Sequence, residues 1–111
     1  MGPAVAAERP WAGRRLHFVG VGGAGMSAYA RAASALGAQV TGSDRADSAF
    51  AAALAADGVL EATIGHRARN VPAGEDVVVV CSTAIGAENP ERLAAVQRER
   101  RELAGTQRGR E

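Results

Sequence analysis

The sequence predicts an α/β domain of the Rossmann-like kind, with three layers and a parallel sheet of at least four strands in the order 3-2-1-4. Short apolar runs suited to strands alternate with alanine-rich runs suited to helices. Gly20, Gly22 and Gly25 follow the first apolar run with the G-x-G-x-x-G spacing. The 111 residues suffice for one domain with a single core. Ligands of such open sheets bind where the direction of the connections reverses, between strands one and four.

The first strand and helix surround the glycine-rich turn. We expect a strand over Arg15–Val21 and a helix over about Ala24–Leu36, where apolar residues recur at helical spacing. Gly37 is placed to end this helix. Residues up to about Gly13 have no periodic pattern and are expected to be poorly ordered. Trp11 either packs back onto the domain or contacts another chain.

The next elements are predicted from shorter patterns. Gln39–Asp44 is typical of a second strand, and Asp47 or Ser48 is suited to cap a helix that ends near Ala56. We expect the third strand over Val59–Ile64, interrupted by polar residues.

The remaining elements follow a loop over residues 65–76. Val77–Cys81 is a continuous apolar run, typical of a parallel strand covered on both faces. The last helix begins at Glu88 or Asn89, with Pro90 at its first position. We therefore divide the chain into a flexible lead-in (1–14), a Rossmann-like domain (15–97) and an Arg-rich, solvated tail (98–111).

Composition excludes several classes of function. The net charge of +1 gives no basic surface for nucleic acid, and no apolar run approaches the ~20 residues that cross a bilayer. The single cysteine, Cys81, allows no internal disulfide, so we expect a cytoplasmic protein. The chain contains no lysine, which excludes a phosphate-binding loop of the G-x-x-x-x-G-K-[ST] type.

The glycine-rich turn is the first candidate binding site. Backbone amides at a helix start bind phosphate, and the three spaced glycines conventionally serve a tight turn, backbone approach to a pyrophosphate and close packing of helix on strand. The hydroxyl of Ser27 either adds a hydrogen bond to the ligand, or Ser27 simply sits in the first helical turn. The residues expected to bind a diphosphate are Gly22, Gly23, Ala24, Gly25 and Met26.

Asp44 is the second candidate, because it follows Gly25 by 19 residues at the end of strand two. An acid at this position accepts hydrogen bonds from ribose hydroxyls in dinucleotide-binding folds. The alternative is that Asp44 only caps the next helix. Ser82, Thr83 and Ala84 end strand four and should line the same crevice.

Several motifs together resemble the Mur ligases of peptidoglycan synthesis. The glycine motif of His17–Ser27 is followed, in the order found in that family, by further matching segments. These are Thr41–Asp44, Ile64–His66, Asn70–Val71, Asp76–Val80, Ser82–Ile85 and Asn89–Glu91. The matching segments extend over about Leu16–Val96.

The resemblance implies roles for individual residues. Asp44, with Ser43 beside it, is implied to contact the uridine or sugar part of a UDP-sugar. His66 matches the family's Gly-His and is either a ligand contact or a residue that pins its loop by a hydrogen bond. We expect no metal site, because only His17 could join His66 and it lies inside strand one. Cys81 is expected to be a small buried apolar residue.

The function implied is that of the N-terminal, UDP-N-acetylmuramate-binding domain of the ATP-dependent ligases that add L-alanine to this sugar nucleotide. The family's ATP, Mg²⁺ and amino-acid sites lie in domains that this sequence does not contain, so no cofactor is expected here and the chain alone should be inactive. The family pattern also continues with a fifth strand, and without it an exposed sheet edge could form a homodimer.

Three alternatives remain at this point. A related ligase that recycles murein tripeptide shares the opening motif. An NAD-binding module would use the same glycines and Asp44. A truncated interaction module would bind no nucleotide at all.

Overall fold

The computed structural model describes residues 9–74 and 76–99. They form one parallel sheet of four strands in the order β3-β2-β1-β4, with helices on both faces, which confirms the predicted fold class. No helix in these two ranges is long and apolar enough to cross a membrane. The elements are β1 (Arg15–Val19), α1 (Ala24–Ala35), β2 (Gln39–Asp44), α2 (Ala49–Ala56), β3 (Thr63–Ile64), a 3-10 turn (Ala68–Asn70), β4 (Val77–Cys81) and α3, helical over residues 90–99.

The main core lies on one face of the sheet. Phe18 on β1 is fully buried and packs edge-on against Tyr29 of α1, with ring centroids 5.1 Å apart. Side chains alternate along a strand, so Leu16 and Phe18 share this face while His17 points to the other. The other buried apolar members of the cluster are Val21, Ala30, Ala33, Ala38, Leu54 and Leu60. This packing holds α1 and α2 against the sheet.

Turn residues fix the helix ends as the sequence predicts. Gly37 follows α1 with φ +102°, a left-handed conformation that disfavours side chains with a Cβ. Ser48 caps α2, because its hydroxyl accepts a hydrogen bond from the amide of Ala51 at 3.1 Å. Asn89 caps α3 by accepting from the amide of Glu91 at 2.9 Å, with Pro90 as the first helical residue.

Strand β3 is shorter than predicted. Only Thr63 and Ile64 pair with β2, at Ser43 and Asp44. The apolar residues before them serve other contacts: the amide of Val59 donates to the Leu54 carbonyl at 2.9 Å and so closes α2, while Leu60 is buried in the core. The predicted span of Val59–Ile64 is therefore wrong at its beginning.

Strand β4 is not covered on both faces, contrary to the prediction. Val78 is 56% exposed, although Val80, on the same face, packs against the core. The reason is position: β4 is the last strand in the described sheet, and its register places Val78 beside Leu16, at the N-terminal end of the strands. Homodimer formation through this edge stays a prediction.

The segment before β1 packs on the domain. The amide of Trp11 donates to the carbonyl of Leu36 at 3.0 Å, and its ring contacts the core and lies 5.3 Å from the guanidinium of Arg14. Trp11 was expected either to pack on the domain or to contact another chain, and the structure shows packing on its own domain. At the other end, Arg98 is helical and donates to the Pro72 carbonyl at 2.9 Å, while the predicted tail beyond residue 99, like the lead-in over residues 1–8, lies outside the described residues.

Candidate functional site

A crevice of about 530 Å³ opens at the carboxyl ends of the strands. Its volume falls within the range of roughly 300–1,000 Å³ that is typical of small-molecule sites. Of the predicted site residues, Gly23, Asp44, His66, Ser82 and Ala84 line it. Thr83 is exposed and is not part of the lining. The other lining residues are Gly20, Arg45, Ile85, Gly86, Glu88, Asn89 and Pro90.

The glycine-rich turn is held by contacts with β2 and β4. Gly20 has φ +87°, and a Cβ there would lie 3.1 Å from the Ser82 hydroxyl. The amide of Gly22 donates to Asp44 Oδ2 at 2.8 Å, and a Cβ on Gly22 would lie 2.8 Å from that same oxygen. Gly22 is therefore needed for close approach to Asp44 within the protein.

The third glycine does not serve the packing that the motif predicts. Nothing lies within 4 Å of a Cβ built on Gly25, so this position does not require glycine for contact between helix and strand. The reason is that Gly25 is in the exposed first turn of α1, while Ser27, Ala30 and Ala33 are the residues that face the sheet. The packing role assigned to Gly25 from the spacing is wrong.

The start of α1 leaves backbone donors unused. Gly23 occupies the N-cap with ordinary φ and ψ of −78° and 155° and offers no side-chain hydrogen bond. The amides of Ala24, Gly25 and Met26 have no acceptor among the described residues, as expected for a first helical turn. Serine, threonine, aspartate and asparagine are the usual caps here. A bare glycine therefore leaves these donors without a side-chain acceptor. Gly23 itself lines the crevice, whereas the other residues predicted to bind the diphosphate, Gly22, Ala24, Gly25 and Met26, are not among its lining residues.

Asp44 connects the turn to β2 without capping α2. Its Oδ1 accepts from the amide of Arg45 at 2.8 Å, and its Oδ2 accepts from Gly22. The cap is Ser48, whose hydroxyl also donates to the Gly22 carbonyl at 3.0 Å. A carboxylate offers about four acceptor sites, so two remain for a ligand at the crevice.

The structure reveals a buried carboxylate whose role sequence reasoning missed. Glu91, known from the sequence only as part of the Asn89–Glu91 motif, is 0% exposed. It lies in the first turn of α3 and points beneath the strand ends. Its donors are His17 Nε2 at 2.6 Å and Ser43 Oγ at 2.7 Å on Oε1, and His66 Nδ1 at 3.0 Å, Asn70 Nδ2 at 3.0 Å and the Arg67 amide at 3.2 Å on Oε2.

The signal that could have found this cluster is His17. A histidine inside an apolar strand needs buried partners, because an unpaired polar group costs free energy. His17 is 1% exposed and pairs with Thr41 Oγ1 at 2.7 Å as well as with Glu91. The sequence-based view of His17 as a satisfied internal histidine is therefore confirmed, but its acidic partner lies 74 residues away along the chain.

Ser43 belongs to this cluster. Its side chain is 0% exposed and its hydroxyl is within 3.1 Å of His66 Nδ1 while it donates to Glu91. The structure therefore places Ser43 behind His66, away from the crevice surface. Ser27 is also buried, and its hydroxyl donates to the Ala24 carbonyl at 3.0 Å. Of the two alternatives for Ser27, the structure therefore shows a residue that sits in the first helical turn.

The cluster sets the protonation state of Glu91. Burial raises the pKa of the carboxyl, but hydrogen bonds from His17, Ser43, Asn70 and His66 lower it further, so the net pKa lies below its ordinary value of 4.5. Glu91 is thus a carboxylate near neutral pH, and every donor around it has a charged acceptor. Burial also raises the pKa of Cys81, with Arg92 opposing the shift, so its thiol is a weak nucleophile.

The lowered pKa of Glu91 predicts acid sensitivity. Its contribution to stability is fully present above the unfolded-state pKa near 4.5 and is lost as pH falls through the lower folded-state pKa. We expect urea-unfolding free energies to decline from about pH 5 downward, and to decline less steeply in Glu91→Gln. Equal slopes in the two proteins would contradict this assignment.

No group of three or more His, Cys, Asp or Glu side chains within the described ranges is arranged to hold a metal ion. The crevice lining offers hydrogen-bonding groups: the carboxylate of Asp44, the ring of His66 and the backbone of Gly23 at the start of α1. Arg45 is the cationic side chain in its lining.

Comparison with known proteins identifies similar chains. The family model described as "Mur ligase family, catalytic domain" matches residues 15–103. Proteins named UDP-N-acetylmuramate--L-alanine ligase are similar: that of Saccharopolyspora erythraea is 50% identical over 86 residues, covering 76% of this chain and 17% of the relative. Those of Dechloromonas aromatica and Rhodopseudomonas palustris are 51% and 54% identical, covering 77% and 72% of this chain and 18% and 16% of the relatives. The chain thus spans about a sixth of the length of these curated relatives.

Proposed function

We propose, from the premise that this chain belongs to the Mur ligase family, that its crevice binds UDP-N-acetylmuramate. The observation that carries the proposal is the open start of α1: the amides of Ala24, Gly25 and Met26 have no acceptor in the described part of the chain, and their cap, Gly23, lines the crevice. Free amides at a helix start favour an anion such as a diphosphate.

The rest of the crevice supports a nucleoside diphosphate. Asp44 ends β2 beside the glycine-rich turn, where a carboxylate accepts from ribose hydroxyls. Arg45 follows it and adds a positive charge to the lining. Ser82 and Ala84 close the opposite side of the crevice, after β4. A diphosphate, a ribose and a base would therefore each find polar partners.

In a longer protein, this domain would hold the sugar nucleotide while other domains act on it. The ligase reaction uses ATP, which activates the muramyl carboxyl for attack by the amine of L-alanine. No residue of this chain is assigned to ATP, since the sequence contains no lysine for a phosphate-binding loop. Its contribution is to bind and orient the substrate. A ligase that accepts murein tripeptide would use the same crevice.

The proposal is tested by calorimetry on the 111-residue chain with UDP-N-acetylmuramate, UDP and NAD in parallel. We expect both uridine compounds to bind and NAD not to bind. Binding of NAD alone would assign the domain to the dinucleotide-dependent proteins. A folded chain that binds none of the three would overturn the proposal in favour of an interaction module.

The same titrations assign Asp44. Asp44→Ala should weaken uridine binding about tenfold, because one charge-assisted hydrogen bond is lost. Asp47→Ala is the matched control, since Asp47 is exposed and its carboxylate accepts from the neighbouring amide of Ser48 outside the crevice lining. Equal affinity of the two variants would remove Asp44 from the site.

A further inference from the structure

The ring of His66 is oriented by the buried cluster behind it. Its Nδ1 lies 3.0 Å from Glu91 Oε2 and 3.1 Å from Ser43 Oγ. The hydroxyl proton of Ser43 is already donated to Glu91 Oε1 at 2.7 Å, so both neighbours of Nδ1 can only accept. The proton of a neutral His66 ring therefore belongs on Nδ1.

The second ring nitrogen is then an acceptor that faces the crevice. Within residues 9–74 and 76–99, Nε2 of His66 has no hydrogen-bond partner, and no buried side-chain nitrogen or oxygen lacks one. Nε2 is therefore accessible, and His66 lines the crevice. In a neutral imidazole with its proton on Nδ1, Nε2 carries a lone pair and accepts a hydrogen bond.

The sheet arranges the polar groups in a sequence that matches a nucleotide. The glycine-rich turn follows β1, Asp44 ends β2, and His66 follows β3. These strands are neighbours in the order β3-β2-β1. Adjacent strands lie about 4.8 Å apart, so the ends of β1 and β3 are separated by roughly 10 Å. A diphosphate at the first position and a ribose at the second place the base at the third.

We infer that Glu91 is a positioning residue which holds His66 with its proton on Nδ1, and that Nε2 of His66 selects uracil by accepting a hydrogen bond from the N3–H of the base. This inference rests on the proposed function. Uracil carries a donor at N3, whereas cytosine carries an acceptor there. An acceptor on the protein therefore favours the first base and opposes the second.

The ligands test this inference without altering the protein. Calorimetry compares UDP with CDP and with UDP methylated at N3. UDP should bind about tenfold more tightly than either, because each of the others lacks the donor and leaves Nε2 unpaired. Equal binding of all three would overturn the inference and leave the proposed function intact. Absence of UDP binding would overturn both.

Nuclear magnetic resonance of the ring nitrogens tests the positioning role directly in the ligand-free chain. The ¹⁵N shifts of the neutral His66 ring should show a protonated Nδ1 and a bare Nε2. A neutral ring that carries its proton on Nε2 would overturn the inference. This readout responds to the tautomer and is not moved by a purely structural contribution of Glu91 to folding.

Two substitutions separate the acceptor from the charge. In Glu91→Gln, the amide oxygen can remain beside His66 and the Arg67 amide, since His17 can change tautomer to accept from the new NH₂ group and donate to Thr41. The preference for UDP should survive. Glu91→Leu removes the acceptor for His66 Nδ1. The ratio of the affinity for UDP to that for CDP should then fall toward one. Loss of the preference in Glu91→Gln with His66 still protonated on Nδ1 would contradict the inference, and if Glu91→Leu does not fold, the ligand series on the unaltered chain decides.

Discussion

Replacing Glu91 with leucine is expected to lower the free energy of unfolding by about 3–5 kcal/mol. Leucine has nearly the right volume, so the loss comes from the donors left behind. His17 and Ser43 are 1% and 0% exposed and would lose a charged acceptor without gaining water. The result is measured by urea unfolding followed by circular dichroism, at a pH near neutrality where the carboxylate is ionised.

The matched control is Glu88→Leu. Glu88 lies three residues earlier, is exposed and has no role in the cluster, so its replacement should change stability by no more than about 0.5 kcal/mol. Glu91→Gln should fall between the two, because it keeps one acceptor oxygen. If Glu91→Leu were as stable as Glu88→Leu, the buried cluster would not be a major stabilising feature of this fold.

Replacing Gly23 with valine is expected to weaken binding of UDP-N-acetylmuramate at least ~100-fold, while changing the free energy of unfolding by less than about 1 kcal/mol. The backbone of Gly23 has ordinary angles, and the nearest atom to an added Cβ is the Gly20 carbonyl oxygen, 3.7 Å away. The protein itself has room for a Cβ at this position. A diphosphate held by the following amides does not, because two charge-assisted hydrogen bonds would be blocked.

Ala32→Val provides the control for added bulk, since Ala32 is exposed on the same helix and lies outside the crevice lining. Gly23→Ser gives a sharper comparison. Its hydroxyl can cap α1, so stability should rise by a few tenths of a kcal/mol while binding weakens. Measured on the same samples, urea unfolding should show higher stability and calorimetry should show weaker binding. Unchanged affinity in Gly23→Val would remove the start of α1 from the site.

Local patterns predicted most of the fold because the decisive residues are close in sequence to what they control. Gly37 lies two positions beyond the last residue of α1, and Ser48 and Asn89 cap the helices that follow them. The bounds of β2 and β4 agree with the predicted spans for the same reason. The predicted span of β3 was too long. Its pairing depends on β2 and on the burial of Leu60 in the core, and neither can be deduced from the neighbouring residues in the sequence.

The sequence predicted the position of the candidate site but not the buried cluster around Glu91 that supports it. Spacing alone located the glycine-rich turn and Asp44. The environment of His66 depends on Glu91, which is 25 residues away and arrives from the opposite face of the sheet. No pattern of periodicity connects a residue in a helix start to a strand-end loop. The same distance explains why Ser43 was placed at the crevice surface and not in the cluster behind it.

The position of Trp11 has a practical consequence for all of these measurements. The only tryptophan of the chain is packed against the start of β1 and the end of α1, whereas the crevice lies at the other end of the strands. Five residues of β1 at about 3.3 Å each separate the two. Its fluorescence emission should therefore follow global unfolding and remain insensitive to nucleotide, so that one optical signal reports the integrity of the fold in every binding experiment.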